Sequence, residues 1–297
     1  METFGDTLSR VMKRLSAADV FCGHGYESIH DEAVALILGA AGLPQEQSYD
    51  LLAAPFPPSA QRRLDGLLHG RCEDRVPVAY LLGEAWLAGT CFTCDDRALV
   101  PRSPIAHLLR EGCWPWWPKT APPEIIIDLC CGGGSLGIIA AHAFPSAAVF
   151  LSDIDQRALT LAQENIERCV TEGTVRCVQA HLLASLASGS VDLIVANPPY
   201  VSGAEMGQLP PEYAHEPRGA LQADEEGVAL AVEVLKDAAR VLSARGLLIL
   251  EVGESAEALE QRLPSVPLIW VDLPAGGSGV AAVSAQELRD WSAAGNL

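Results

Sequence analysis

Apolar residues recur at helical spacing through positions 1–80. Leu8, Val11, Met12 and Leu15 form one stripe; Ala33, Leu36, Ile37 and Ala40 form another. Both predict amphipathic helices. Pro44 and the prolines from Pro55 to Pro58 punctuate them. From Leu81 to Val100 the pattern changes. Aromatic, small and β-branched residues around Gly83 and Gly89 predict a short β-hairpin. Trp114-Pro-Trp-Trp-Pro118 reads as a linker or surface patch. Beyond Ile125, apolar runs alternate with helical patterns. Strands are predicted at 125–129, 148–152, 175–179, 193–196 and 247–252, and helices at 136–143, 157–168 and 228–242. This alternation implies βαβ units and a parallel sheet covered on both faces. Two later apolar stretches, 268–273 and 280–283, flank Gly276-Gly-Ser-Gly279 and predict a closing antiparallel hairpin. The expected organisation is a helical domain over 1–80, a hairpin and linker over 81–124, and an α/β domain over 125–297.

Composition narrows the function. Apolar residues make up 49% and charged residues 20%, enough for a sizeable core and too apolar for global disorder. No run approaches ~18 uninterrupted apolar residues, so no membrane span is expected. The opening METFGDTLSRVMKRL lacks the apolar stretch of a signal peptide. The nine cysteines are odd in number and irregularly spaced, which suits a reducing cytoplasm better than a disulfide framework. The net charge is −18, from 20 basic and 38 acidic residues without basic runs. Nucleic acid is therefore disfavoured as the main substrate. A basic protein partner would be attracted, or the acidity simply keeps the chain soluble.

Two loops carry candidate chemistry. The strand at 125–129 ends in Asp128-Leu-Cys-Cys-Gly-Gly-Gly-Ser135, ahead of a helix. Glycines there let a ligand approach the backbone, and open α/β sheets bind ligands at such turns. The next strand ends in Ser152-Asp153, an acid suited to two ribose hydroxyls. A dinucleotide site would share this pairing, but the loop lacks G-x-G-x-x-G spacing. Asp128, on the strand side, would meet a cation better than a pyrophosphate. S-adenosylmethionine, with an ammonium and a sulfonium and no phosphate, fits better. A glycine turn that merely packs helix on strand is the plain alternative. The fourth strand ends in Asn197-Pro198-Pro199-Tyr200. An amide nitrogen is a poor nucleophile and must be held by both its hydrogens. The Asn197 side-chain oxygen and the Pro198 carbonyl can supply two acceptors on a turn that two prolines stiffen. Tyr200 offers a flat face for a planar amide or base. An ordinary Asn-Pro turn is the bland alternative.

These two loops together resemble the HemK/PrmB class of protein-glutamine methyltransferases. Arg75-Val-Pro-Val-Ala-Tyr80, Val100-Pro-Arg-Ser-Pro-Ile105 and Glu212-Tyr-Ala-His-Glu-Pro217 resemble it further, as do Ala220-Leu221 and Gly227, and Gly23-His-Gly25 with Asp31-Glu-Ala33. The resemblance runs from about residue 20 to about residue 285. Ser103-Pro-Ile105 matches the ribosomal-protein branch; the release-factor branch is the alternative. The resemblance implies a Rossmann-like class I methyltransferase sheet, S-adenosylmethionine as cofactor, and a glutamine of ribosomal large-subunit protein 3 as acceptor. It implies cofactor contacts from Asp128, Cys130, Gly132, Gly134, Asp153, Ile154, His181 and Asn197. Substrate contacts are implied for Asn197, Pro198, Pro199, Tyr200, Arg102 and Glu216, with Asn197, Pro198 and Tyr200 catalytic. His181 stands where the class usually has an aspartate near the adenine amino group. A neutral imidazole can accept that hydrogen bond.

Other features are discounted. Cys91-Phe-Thr-Cys94 lacks the second pair of a zinc ribbon, so no metal is expected. His215 beside Glu216 could be an acid–base pair, but the proton can leave after amide methylation, so a substrate-shaping Glu216 is favoured. His24 between two glycines reads as a satisfied turn residue. A DNA or RNA amine methyltransferase could share the Asn-Pro-Pro-Tyr loop, but would need a target-recognition domain and a basic surface. A non-catalytic cofactor-binding protein would not need Asn197.

Overall fold

The computed structural model describes residues 2–45, 49–118, 120–170, 172–184, 186–273 and 276–297. Helix α1 (Phe4–Ala17) begins at Thr3, whose hydroxyl accepts from the Asp6 amide while the Asp6 carboxylate accepts from the Thr3 amide. This reciprocal cap satisfies two donors that a helix start leaves bare. Helix α2 (Ile29–Ala41) is capped by Ser28 and stopped by left-handed Gly42. Helix α3 (Pro58–Cys72) carries Pro58 at its first turn, where no amide hydrogen is needed. Val11, Leu15, Leu36, Leu64 and Leu68 close a core between these helices.

Helix α4 (Val78–Leu82) follows, then β1 (Glu84–Leu87) and β2 (Thr90–Thr93). The hairpin is shorter than expected, because 78–82 is helical and Gly83 ends that helix in the left-handed region. Ala88 and Gly89 both have positive φ, the twist that a two-residue hairpin loop demands. Helix α5 (Ile105–Arg110) leads to the sheet. Its elements are β3 (Ile125–Leu129), α6 (Ser135–Ala143), β4 (Ala148–Asp153), α7 (Gln156–Cys169), β5 (Thr174–Gln179) and β6 (Val191–Ala196). Two short helices, α8 (Gly203–Met206) and α9 (Arg218–Leu221), precede α10 (Ala229–Val241), β7 (Leu242–Glu251), α11 (Ala256–Arg262), β8 (Val280–Ser284) and α12 (Ala285–Ala293).

The strand order is β5-β4-β3-β6-β7-β8, parallel except for β8. All six residues of β6 are buried, as a strand covered on both faces requires. The chain runs outward from β3 to β5 and returns to place β6 beside β3. That reversal opens a crevice at the carboxyl ends of β3 and β6. The fold is the expected α/β, Rossmann-like sheet. The closing hairpin is not: 268–273 meets β8 through a single bridge, Trp270 to Ala281. Strand β8 instead pairs along five positions of β7. Gly279 permits this, since a Cβ there would lie 2.0 Å from the Gly253 carbonyl oxygen. Among the described residues no helix is long and apolar enough to cross a membrane.

A candidate active site at the switch point

The crevice encloses a cavity of about 1010 Å³. Its first wall is the loop after β3. Cys130, Gly132 and Gly134 all have positive φ. For Cys130 this is a strained conformation that the surrounding loop must hold. Gly137 shows what else the glycines do. A Cβ there would meet Leu151 at 2.1 Å and the Asp128 Cβ at 2.9 Å, so its absence lets α6 lie against β3 and β4. Asp128 is buried and lines the cavity, with Oδ2 accepting from the Gly137 amide at 2.7 Å. Burial pushes its carboxyl up to about 7; the Gly137 amide opposes this and the nearby Asp153 charge adds to it. A cation in the crevice would relieve that penalty.

Asp153, at the end of β4, has a second task that its position in sequence did not reveal. Its Oδ2 accepts from the Gly132 amide at 2.8 Å and its Oδ1 from the Asp155 amide at 2.9 Å, so it ties the glycine loop to its own. Ile154 is 63% exposed and lies on the cavity wall. His181, after β5, is exposed and also lines it.

The opposite wall is the loop after β6. Pro198 is buried, and Asn197, Pro199 and Tyr200 are half-buried. The loop is fixed from behind. The Tyr200 carbonyl accepts from the Ser255 hydroxyl at 2.7 Å. Gly227, with φ +88°, passes so close that a Cβ would lie 2.1 Å from that carbonyl oxygen. Gly253 sits beneath the Tyr200 ring, where a Cβ would come within 2.7 Å. Val201 exchanges backbone hydrogen bonds with Leu221 and Ala223. The Asn197 side chain, by contrast, makes no hydrogen bond to any described residue and faces the cavity.

Arg102 also lines the cavity, and its guanidinium is gripped from the side by both oxygens of Glu216. Here the expectation of a substrate contact is corrected. The Glu216 side chain is fully buried, with Oε1 also accepting from the Val100 amide at 2.9 Å. Against the upward push of burial, the Arg102 guanidinium and His24 hold its carboxyl down at about 2. Glu216 therefore shapes the site through Arg102 and does not line it. His24 lies in a bend, as expected, but its ring is not satisfied: among the described residues neither ring nitrogen has a hydrogen-bond partner. It is buried against Tyr213, with ring centroids 4.5 Å apart, and its Nε2 lies 3.4 Å from Glu216. His215 points the other way and donates to the Asp74 carbonyl at 2.8 Å.

Sequence reasoning missed three groups. Arg71 is buried, bonded to both oxygens of Glu32, to Glu212 at 2.9 Å and to the Phe21 carbonyl. Glu212 in turn accepts from the Phe21 amide, so this cluster fastens α2 and α3 to the segment that holds Glu216. The third is Glu251, at the end of β7, which accepts a short hydrogen bond from Ser103. The pattern Glu212-Tyr-Ala-His-Glu-Pro217 was the available signal for Glu212; Arg71 and Glu251 lie in no motif. Elsewhere, Cys91 meets Arg168 at 3.0 Å while Cys94 is buried, so the two thiols have separate surroundings. Trp117 is buried and bonded to the Ala121 carbonyl, whereas Trp114 is exposed.

A parallel sheet with a glycine loop after its first strand, an acid after its second and an Asn-Pro-Pro-Tyr loop after its fourth defines a methyltransferase. The family described as Methyltransferase small domain matches residues 119–216. Three proteins named ribosomal protein uL3 glutamine methyltransferase are similar over nearly the whole chain. The one from Xanthomonas campestris is 40% identical, covering 99% of this chain and 94% of its own. That from Bordetella pertussis is 38% identical, covering 97% of each, and that from Francisella tularensis is 34% identical, covering 97% and 92%. The chain belongs to the uL3 glutamine methyltransferase family.

Proposed function

We propose that this protein transfers a methyl group from S-adenosylmethionine to the side-chain amide nitrogen of a glutamine in ribosomal protein uL3. The observation that carries the reading is Asn197: a side-chain amide with no internal partner, on a loop braced from behind, facing the same cavity as Asp128 and Asp153. The residues present fit this cofactor. Asp128 is a buried acid whose charge asks for a cation, and Asp153, an acid on the same cavity wall, suits the two hydroxyls of a ribose. The two arginines on the cavity wall do not offer a pyrophosphate site, because Arg97 is engaged by Asp95 and Glu164, and Arg102 by Glu216. Cys130, Gly132, Gly134, Ile154 and His181 complete the cofactor side.

When bound, S-adenosylmethionine supplies a methyl group on a sulfonium, activated for attack. Asn197 Oδ1 and the Pro198 carbonyl accept the two amide hydrogens and fix the direction of the nitrogen. Those hydrogen bonds strengthen as the nitrogen gains positive charge, so they favour the transition state over the ground state. Pro199 stiffens the turn, and Tyr200 gives the amide a flat support. One amide proton leaves once the new N–C bond has formed, so no strong base is needed beforehand.

The relatives' shared name supports uL3 as the acceptor, and the net charge of −18 suits a basic partner. In this reading the protein works in the cytoplasm, residues 1–80 with Pro101–Ile105 and Tyr213–Pro217 select the substrate, 81–124 connects, and 125–297 performs the chemistry. Incubation with labelled S-adenosylmethionine and either uL3 or a peptide release factor tests it. Label on a glutamine of uL3 is expected; label only on the release factor, or on neither, would overturn the assignment.

A further inference from the structure

Glu251 is buried at the carboxyl end of β7, yet its side chain borders the cavity. Three pieces of chain meet there. The first is the strap 101–104, where the Ser103 hydroxyl donates to Glu251 Oε2 and accepts from the Ile105 amide. Pro104 of this strap lies where a Cβ on Gly277 would intrude, at 2.8 Å, so the strap is pressed from outside as well. The second is the Asn197–Tyr200 loop, whose tyrosine ring rests on Gly253 and whose carbonyl is held by Ser255. The third is residues 251–255 themselves, which hold Ser103 through Glu251 and the Tyr200 loop through Gly253 and Ser255. Around the Glu251 carboxyl stand the charged Arg102 and the Ser103 hydroxyl on the strap and the titratable Tyr200 on the loop. Tyr213 and Glu216 stand beyond them, near Tyr200 and Arg102.

We propose that Glu251 is a positioning residue for methyl transfer: as a carboxylate it fastens the 101–104 strap, through Ser103, to the 251–255 segment that supports Tyr200, and so holds the amide-binding loop in register. This rests on the reaction proposed above. A neutral carboxylic acid would keep the Ser103 contact in weaker form, because hydrogen bonds to an ionised acceptor are stronger. Burial pushes the Glu251 carboxyl up to about 7, while Ser103, Arg102 and Tyr200 pull it back down. The sign follows. The carboxyl gains its charge as pH rises through 7, so the clamp tightens in that direction.

The test uses the full-length protein at saturating S-adenosylmethionine, with single-turnover methylation of uL3 followed from pH 6 to pH 8. Wild type should gain about tenfold in rate across that range, following the ionised fraction. E251Q should lose the pH dependence and stay near the low-pH rate, while binding cofactor within about twofold of wild type. S103A removes a donor that favours the carboxylate, so it should move the midpoint upward by roughly half a pH unit or more. An E251Q rate that still climbs like wild type, or an unmoved midpoint in S103A, would overturn the proposal. So would loss of cofactor binding in E251Q, which would reduce Glu251 to support of the fold. Carbon-13 NMR of the Glu251 carboxyl reads the same midpoint, and its shift in S103A, without any acceptor. A wild type inert on uL3 therefore refutes the substrate reading alone, and the NMR midpoint still decides the clamp.

Discussion

Replacing Asp128 with asparagine should remove a pH dependence from cofactor binding. The Asp128 carboxyl lies in a buried position with one amide donor, and burial raises it to about 7. A cofactor ammonium needs the ionised form, so at low pH binding must first expel a proton. The ionised fraction is one half at pH 7 and about one thirtieth at pH 5.5, so the wild-type Kd should weaken roughly 15-fold between them. D128N has no proton to lose. It should bind more weakly at pH 7 and show a nearly flat profile. Calorimetric titration at both pH values, repeated in two buffers of different ionisation enthalpy, reads affinity and proton release together. Stability should respond in the opposite sense. A carboxyl raised in the folded state gives its full stability below the unfolded value near 4 and loses it as pH rises through 7. At pH 8 the uncompensated charge costs up to about 4 kcal/mol, which D128N should recover in part. A wild-type Kd that changes less than about threefold, or the same slope in D128N, would refute this account.

Further outcomes follow from the same contacts. Asn197→Ala should lower the single-turnover rate about 10²-fold, some 2–3 kcal/mol, with cofactor affinity unchanged; a rate near wild type would remove Asn197 from the reaction. Asp153→Ala should weaken cofactor binding by roughly tenfold or more, since the acceptor that holds the Gly132 amide is also the proposed ribose contact; calorimetry showing unchanged affinity would contradict it. Arg71→Ala leaves Glu32 buried without its cation and Glu212 with Arg75 alone, and should destabilise the fold by about 3–5 kcal/mol in denaturant titration. A loss below about 1 kcal/mol would show that the cluster contributes little.

The sheet was legible because its signals are local. Apolar runs at 125–129 and 193–196 predict strands that the structure contains as β3 and β6. The Asn197–Tyr200 loop and the glycine loop are contiguous motifs, and the strand order brings them to one cavity. What escaped depends on contacts distant in sequence. Ser103 and Glu251 are 148 residues apart, and Arg102 and Glu216 are 114 apart. No spacing rule connects such pairs, so the burial of Glu216 and the existence of the Glu251 contact could not be read. The stretch 268–273 misled for a different reason. Its alternation suits a strand, but β7 already offered β8 a longer partner.

The cluster around Arg71 bears on how the chain is made. Arg71 meets Glu32 within its own helical region, but its other carboxylate, Glu212, comes 141 residues later. At roughly 5–20 residues per second of synthesis, the guanidinium waits about 7–28 seconds for that partner. Through this interval the nascent helices present a half-paired cation where a finished protein has an interior, which keeps that face hydrated and disfavours its sticking to other nascent chains. The Glu216 grip on Arg102 likewise waits for the late segment, since Glu216 follows Glu212. Docking of the late segment thus couples these two contacts in time, and the cavity wall is finished later still, when residues 251–255 and 277–278 have been made.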